Sequence, residues 1–214
     1  AHQLGGSSFA QTQNKIGHTA PNVADANYFA NAFNTIQSLI KADKIVAGHD
    51  ISAGGMLTAL LEMCFAEQNV GANIDLSAIE EADSVKLLFA ENSGILIQAA
   101  DNSIENTLTA NGIEFYNIGN VTASNDLNIK NQSENHTFDI TRLRDDWYET
   151  SHLLDQRQTA NGLATTRFNN YKNQPLQYKF PTQFTGKLPV IDKTKKRPIA
   201  AILREKGSNS EREM

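Results

Sequence analysis

Two short stretches of this chain hold residue types whose spacing suits anion chemistry. The first is Leu4-Gly5-Gly6-Ser7-Ser8-Phe9-Ala10-Gln11. Adjacent glycines let a main chain approach an anion closely, and consecutive N–H groups form a concave nest for phosphate oxygens. Ser7 and Ser8 add hydroxyl donors. On this reading Gly5, Gly6 and Ser7 face a phosphate; a flexible terminal turn is the structural alternative. The second is Gly48-His49-Asp50-Ile51-Ser52-Ala53-Gly54-Gly55, between an apolar strand pattern and an apolar helix pattern. It sets Gly54 and Gly55 at a helix N-terminus, where unpaired N–H groups and the helix dipole favour negative charge. His49 and Asp50 fall at the carboxyl end of the strand, the usual ligand edge of an open α/β sheet. There His49 can donate to an anionic group, and Asp50 can hold a magnesium ion that bridges phosphates. The same residues also read as scaffold, with Ser52 an N-cap, Asp50 a turn former and His49 a hydrogen-bonded structural side chain. The residues alone leave both readings open.

Other reactive side chains carry less. Cys64 lies on the apolar side of a helix, as a core residue and not a nucleophile. His2, His18, His136 and His152 are scattered, without metal-ligand spacing. Glu91 reads as a solvated turn residue, and Trp147 with Tyr148 as a packing anchor.

The elements that must position the two motifs follow from periodicity. A helix is expected over 24–41, with Asp25 near its N-terminus and an apolar stripe of Phe29, Phe33, Ile36 and Ile40 facing a core. A short strand over 44–47 leads into the loop 48–55. A helix over 56–67 follows, with Leu57, Leu60, Leu61 and Cys64 inward, and then a half-buried strand over 70–76. Residues 85–89 and 95–99 read as two strands joined by the turn Glu91-Asn92-Ser93-Gly94 into a hairpin. A helix over 103–110 stops at Asn111-Gly112. Residues 115–121 read as a strand, 127–129 with 137–140 as a last ribbon, and 141–171 as helical. Mixed strands and helices give an α+β domain, a mixed sheet covered by helices.

Composition narrows the function classes. The 214 residues carry 24 acidic against 19 basic side chains, a formal charge of -5, which argues against a nucleic-acid partner. No apolar run approaches the roughly 20 residues of a membrane span. The first residues lack the charged and apolar regions of a signal peptide. A single cysteine fits a reducing compartment, so a cytoplasmic protein is expected, and the Asn-x-Ser/Thr sequons read as chance. From about residue 173, Pro175, Pro181, Pro189 and Pro198 with the basic run 193–197 read as an extended linker. Residues 199–203 read as a buried strand opening an α/β unit, and both ends of the chain read as cut.

Taken in order, these segments resemble a known family. Leu4-Gly5-Gly6-Ser7 with Gln11, then His49-Asp50-Ile51-Ser52-Ala53-Gly54-Gly55-Met56 running into Leu60-Leu61-Glu62-Met63, resemble the carboxyl-terminal half-domain of the aminoimidazole ribonucleotide synthetase superfamily. Phe89-Ala90-Glu91-Asn92-Ser93-Gly94 and Tyr116-Asn117-Ile118-Gly119-Asn120-Val121 are similar to later segments of that domain. Trp147-Tyr148-Glu149-Thr150-Ser151, Ala201-Ile202-Leu203-Arg204-Glu205-Lys206-Gly207-Ser208-Asn209 and Glu213-Met214 narrow the likeness to the large, single-chain phosphoribosylformylglycinamidine synthase family.

The resemblance implies a lobe over 1–150, a helical extension and linker over 151–196, and the truncated start of a class I glutaminase domain over 197–214. It implies an ATP-dependent ligase that activates the amide oxygen of formylglycinamide ribonucleotide as an iminophosphate. Glutamine-derived ammonia then displaces phosphate to give the amidine. Two homologous halves are implied, one site catalytic and the other holding a structural nucleotide, ATP or ADP, with Mg. By position, Gly5, Gly6 and Ser7 help bind the ribonucleotide phosphate, and His49, Asp50, Ser52, Gly54 and Gly55 line a substrate or nucleotide pocket, with Asp50 the candidate for the metal. Ala53 stands where the family loop usually has Asp, so the contribution of that side chain is absent. The chain alone is expected to be inactive. The alternatives are a non-catalytic nucleotide-binding scaffold lobe, and a lobe of the selenophosphate or thiamine-phosphate type; the tail 201–214 argues against the second.

Overall fold

Alternation along two strands builds the core. In β2 (Gly71–Asp75) and β5 (Asp126–Asn131) the residues Ala72, Ile74, Leu127 and Ile129 are buried on one face. Their neighbours Asn73, Asp75, Asn128 and Lys130 point to the other, as the two-residue period of a strand requires. β2 and β5 pair in parallel. β4 (Gly119–Thr122) and β6 (Glu134–Asp139) flank them in antiparallel register, giving the order β4-β2-β5-β6. The outer face is a polar ladder. Asn128 Nδ2 donates to Asn73 Oδ1 at 3.0 Å, Thr137 Oγ1 donates to Asn128 Oδ1 at 2.8 Å, and Lys130 pairs with Asp75 at 2.8 Å.

Helices cover the apolar face. α3 (Gly55–Phe65) brings Leu57, Leu60 and Cys64, and α4 (Ser84–Phe89) brings Leu87 and Leu88, into one cluster with the sheet residues, Leu76 and Ile140. Full burial of each such aliphatic side chain contributes about 1.5–3 kcal/mol. The architecture is α+β, a mixed sheet with helices, as expected. The structure, a computed structural model, describes residues 2–173, 178–187 and 194–196, with 199 and 201.

A second, smaller cluster sits under a separate pair of strands, β1 (Ile45–Asp50) and β3 (Ile95–Ala99), which are antiparallel. It joins Ile36 and Leu39 of α2 (Ala26–Lys41) to Ile104 and Leu108 of α5 (Ser103–Ala110). The stripe expected to face a core on α2 does so only at Ile36. Phe29, Phe33 and Ile40 are exposed, and Thr35, Ile36 and Leu39 form the buried face.

Four further expectations are corrected. Residues 85–89 form helix α4, because Asp83 caps it by accepting from the Val85 and Lys86 amides at 3.0 and 3.1 Å. A five-residue apolar run does not distinguish strand from helix, and the cap decides it. Consequently no 85–99 hairpin exists; β3 pairs with β1, aligning His49 with Leu96 and Asp50 with Ile95. Gly48, His49 and Asp50 are therefore strand residues and not loop. Of the strand expected over 115–121, only the end from Gly119 is paired.

The helical stretch after β6 is two helices, α6 (Ile140–Asp155) and α7 (Leu163–Asn170), the second preceded by Gly162 at φ +85. α6 runs through residue 150, where a boundary was expected; the compact units divide between Gln174 and Pro175. In the second unit Phe180 and Phe184 stack at 4.7 Å. Of the strand expected over 199–203, Ile199 is 97% exposed, and 200, 202 and 203 lie outside the described residues, as does most of the expected glutaminase start.

Candidate functional site

The two glycine motifs meet, and Glu91 joins them. Its Oε1 accepts from the Ser8 amide at 2.7 Å and from the Gly54 amide at 2.9 Å. The residue next to it, Asn92, accepts from the Gln3 amide at 3.1 Å through Oδ1. Phe9 of α1 (Ser8–Thr12) stacks on Phe89 at the end of α4, with centroids 4.7 Å apart. The expected solvated turn at Glu91 is thus a tie between chain segments far apart in sequence. Burial by itself would raise the Glu91 carboxyl, but hydrogen bonds from the Gly54 and Ser8 main chain outweigh it and hold the group below the ordinary glutamate range.

The amides expected to cradle phosphate are largely engaged from within. Gly5 N–H donates to Thr19 O at 2.9 Å, Gly6 N–H to Ile16 O at 2.7 Å and Ser7 N–H to Leu4 O at 3.2 Å. Ser7 is 1% exposed; its Oγ donates to Leu4 O at 2.7 Å and accepts from the Ala10 amide at 3.2 Å as the N-cap of α1. Gly5 is closely packed, since a Cβ there would lie 2.3 Å from Thr19 O. Gly6 differs: it is exposed, at φ +74, with nothing within 4 Å of where a Cβ would stand. Of the three, Gly6 is the position open to a ligand. Ser7→Ala should cost about 1 kcal/mol, the usual loss for an N-cap. A thermal unfolding midpoint unchanged from wild type would count against that capping role.

In the second motif Gly54 N–H goes to Glu91 and Gly55 N–H to Ser52 O at 3.0 Å. His49, on β1, is held on both ring nitrogens. Nδ1 lies 2.7 Å from the Asp50 carbonyl and Nε2 2.9 Å from Glu62 Oε2 of α3. Glu62 Oε1 in turn accepts from Trp147 Nε1 of α6 at 2.9 Å. The Asp50 carboxylate is 77% exposed, and Ser52 and Ala53 are exposed beside it. Burial raises the Cys64 thiol, consistent with a core residue.

The rim made by these loops is open. Concavities of about 420 and 160 Å³ lie on the polar sheet face and between α6 and α7, and neither is lined by a glycine-motif residue. Among the described residues no group of three His, Cys, Asp or Glu side chains is placed to hold a metal ion. The described residues therefore offer magnesium no cage of their own; Asp50 is a single carboxylate of the kind that joins an ion already held by phosphates. No helix among the described residues is long and apolar enough to cross a membrane.

His49 and Asp50 close β1, and Ser52, Gly54 and Gly55 lead from it into α3; the bonds that Glu91 and Glu62 make to this segment are not legible in the spacing of its residues. The Asp83 cap was the available signal for the first, because a helix at 84–89 brings residue 91 back to the start of α3.

Residues 2–131 match the family model described as AIR synthase related protein, C-terminal domain. The chain is 33% identical over 221 residues to the probable phosphoribosylformylglycinamidine synthase, chloroplastic/mitochondrial, of Arabidopsis thaliana, covering 99% of this chain and 15% of that protein. It is 29% identical over 221 residues to the phosphoribosylformylglycinamidine synthase of Homo sapiens, covering 100% and 16%. The chain thus spans under a fifth of the length of these relatives. Among solved structures, PurLQS from Thermotoga maritima matches with a TM-score of 0.51 at 16% identity, over 65% of this chain and 25% of that one, a likeness of fold.

Proposed function

The chain belongs to the AIR synthase related family, matching its C-terminal domain, and from that premise we propose that it serves as one lobe of a longer phosphoribosylformylglycinamidine synthase. Relatives bearing that name align along 99% or more of the chain while exceeding it several-fold in length. In this reading the whole protein converts formylglycinamide ribonucleotide to the amidine with ATP and glutamine-derived ammonia. The lobe supplies one wall of a site for a phosphate-bearing ligand, the ribonucleotide or an ATP or ADP, and the rest of the protein supplies the others. Asp50 then faces a magnesium ion held by the nucleotide. Residues 197–214 begin a glutaminase domain, and the cysteine usage suits the cytoplasm.

The observation that carries the reading is the shared Glu91 Oε1, which brings Ser8 and Gly54, and with them both glycine motifs, to one rim. The open side of Gly6 marks where a ligand reaches that rim. A second reading, a lobe that scaffolds without touching substrate, is favoured by one observation: the amides of Gly5, Gly6, Ser7, Ser8, Gly54 and Gly55 are all donated internally.

Steady-state kinetics separate the two. The 214-residue chain alone is expected to show neither ribonucleotide-dependent ATP turnover nor glutamine hydrolysis. In the full-length protein, Gly6→Ala places a methyl group in open space, with a backbone cost of about 1–2 kcal/mol at φ +74 that falls on folding and not on one substrate. It is expected to raise KM for the ribonucleotide, by about tenfold for a 1.4 kcal/mol loss of binding, and to leave KM for ATP and glutamine close to wild type. Unchanged constants for all three substrates favour the scaffold. Equal rises in all three point to a folding defect.

A further inference from the structure

His49 is held on both ring nitrogens, by β1 and by α3. Its Nδ1 meets the carbonyl of the very next residue, Asp50, at 2.7 Å, and its Nε2 meets Glu62 Oε2 of α3 at 2.9 Å. A carbonyl oxygen and a carboxylate oxygen both only accept, so each ring nitrogen is the donor in its own contact. The two oxygens of Glu62 are divided, Oε2 to His49 and Oε1 to the Trp147 indole N–H at 2.9 Å. Rotation of the Glu62 carboxylate would break both bonds together. Trp147 is itself fixed by an edge contact with Tyr148 at 4.8 Å and a tilted contact with Phe65 at 6.0 Å. Both ring nitrogens of His49 are thereby committed inside the protein, at 28% side-chain exposure, while the Asp50 carboxylate beyond it is 77% exposed.

We infer that Trp147, Glu62 and His49 form a brace that ends on the Asp50 carbonyl and sets the direction in which the Asp50 carboxylate is presented. His49 and Glu62 are positioning residues, and Asp50 is the group that meets the ligand. The inference rests on the reading of this rim as a ligand wall. It changes the role of His49 within that reading, from a donor to the ligand's anion into the link between α3 and the end of β1. A single, partly exposed pair of this kind would contribute little. The significance here lies in the chain of single-atom contacts from α6 through α3 to one main-chain oxygen.

A mutant cycle on the full-length protein tests it, with ATP and formylglycinamide ribonucleotide as probes and kcat and KM measured for each. Asp50→Ala is expected to lower kcat/KM for at least one probe. Glu62→Ala and Trp147→Phe are expected to lower it for the same probe, on the order of tenfold as for other residues that orient a ligand-binding side chain. In the Asp50→Ala background both should have no further effect, because the group they orient is gone. Glu62→Gln still offers an oxygen to one partner and should recover part of the loss. If Glu62→Ala acts with undiminished size in the Asp50→Ala background, or has no effect while Asp50→Ala is damaging, the brace is wrong and the ligand wall stands. If Asp50→Ala itself changes nothing for either probe, the ligand-wall reading fails at this residue and the brace with it. Should Glu62→Ala fail to fold, Trp147→Phe decides the matter, since it keeps an aromatic ring and removes the donor to Glu62.

Discussion

Gly55→Ala is expected to destabilise the folded chain by about 2–5 kcal/mol, a large part of the roughly 5–15 kcal/mol that holds a domain together. Two costs add. Gly55 sits at φ +73, where a residue with a Cβ loses about 1–2 kcal/mol. A Cβ there would also stand 2.5 Å from Leu88 O and 2.7 Å from the Phe89 carbonyl carbon. Those are main-chain atoms at the end of α4 and cannot rotate away, so the two helices must separate, at about 1–3 kcal/mol for an overpacked core. Gly112→Ala is the matched control. It has a similar φ of +65 but nothing within 4 Å, so only the backbone term applies. Urea unfolding midpoints of the two variants separate the terms, and equal midpoints would show that the α3–α4 contact yields without cost.

The same contact explains what the sequence could and could not disclose. Strong local signals were legible. The 3.6-residue period of 56–67 was read as the buried side of α3, with Leu57, Leu60 and Cys64 in the core, and the Asn111-Gly112 stop marked the end of α5. The ribbon of 127–129 with 137–140 was visible because its apolar residues alternate around a turn. What failed were pairings that depend on partners distant in sequence. Val85-Lys86-Leu87-Leu88-Phe89 carries equally well as strand or helix until Asp83 is seen to cap it. Once it is a helix, Ile95–Ala99 has lost its hairpin partner and pairs with β1 instead. The α2 stripe failed for a related reason. Phe29, Phe33, Ile36 and Ile40 share a helical face, but the elements packed on α2, α5 and β1, meet that face only at its Ile36 edge and Leu39 beyond it.

At the site, residue types were legible and hydrogen-bond partners were not. Paired glycines identify a tight main-chain path, yet Gly5 and Gly6 use it to bond Thr19 and Ile16. Gly54 uses it to bond a carboxylate 37 residues away. A glycine motif therefore states that something approaches the main chain closely; whether that is a ligand or the protein itself is decided by the fold.

Glu91 provides the second large effect. Glu91→Ala leaves the Ser8 and Gly54 amides without their acceptor at a partly buried position, and each unsatisfied donor of this kind costs about 1–3 kcal/mol. Water reaches a partly buried site and recovers some of this, so a total of about 2–4 kcal/mol is expected. Glu91→Gln keeps an acceptor oxygen in place but removes the charge, which roughly halves the strength of each bond, and should cost about 1–2 kcal/mol at neutral pH. The difference between the wild type and the Gln variant then depends on pH in a defined direction. Because the folded state holds the Glu91 carboxyl below its ordinary range, the stabilisation by its charge is fully present at neutral pH, above the unfolded-state value. It is lost as acidification carries the pH down through the folded value. Denaturation at a series of pH values should therefore show the wild-type advantage over Glu91→Gln shrinking on the acid side, while the deficit of Glu91→Ala relative to Gln persists. A wild-type advantage that stays constant on acidification would mean that the two motifs are joined by shape alone and that the charge on Glu91 has no part in it.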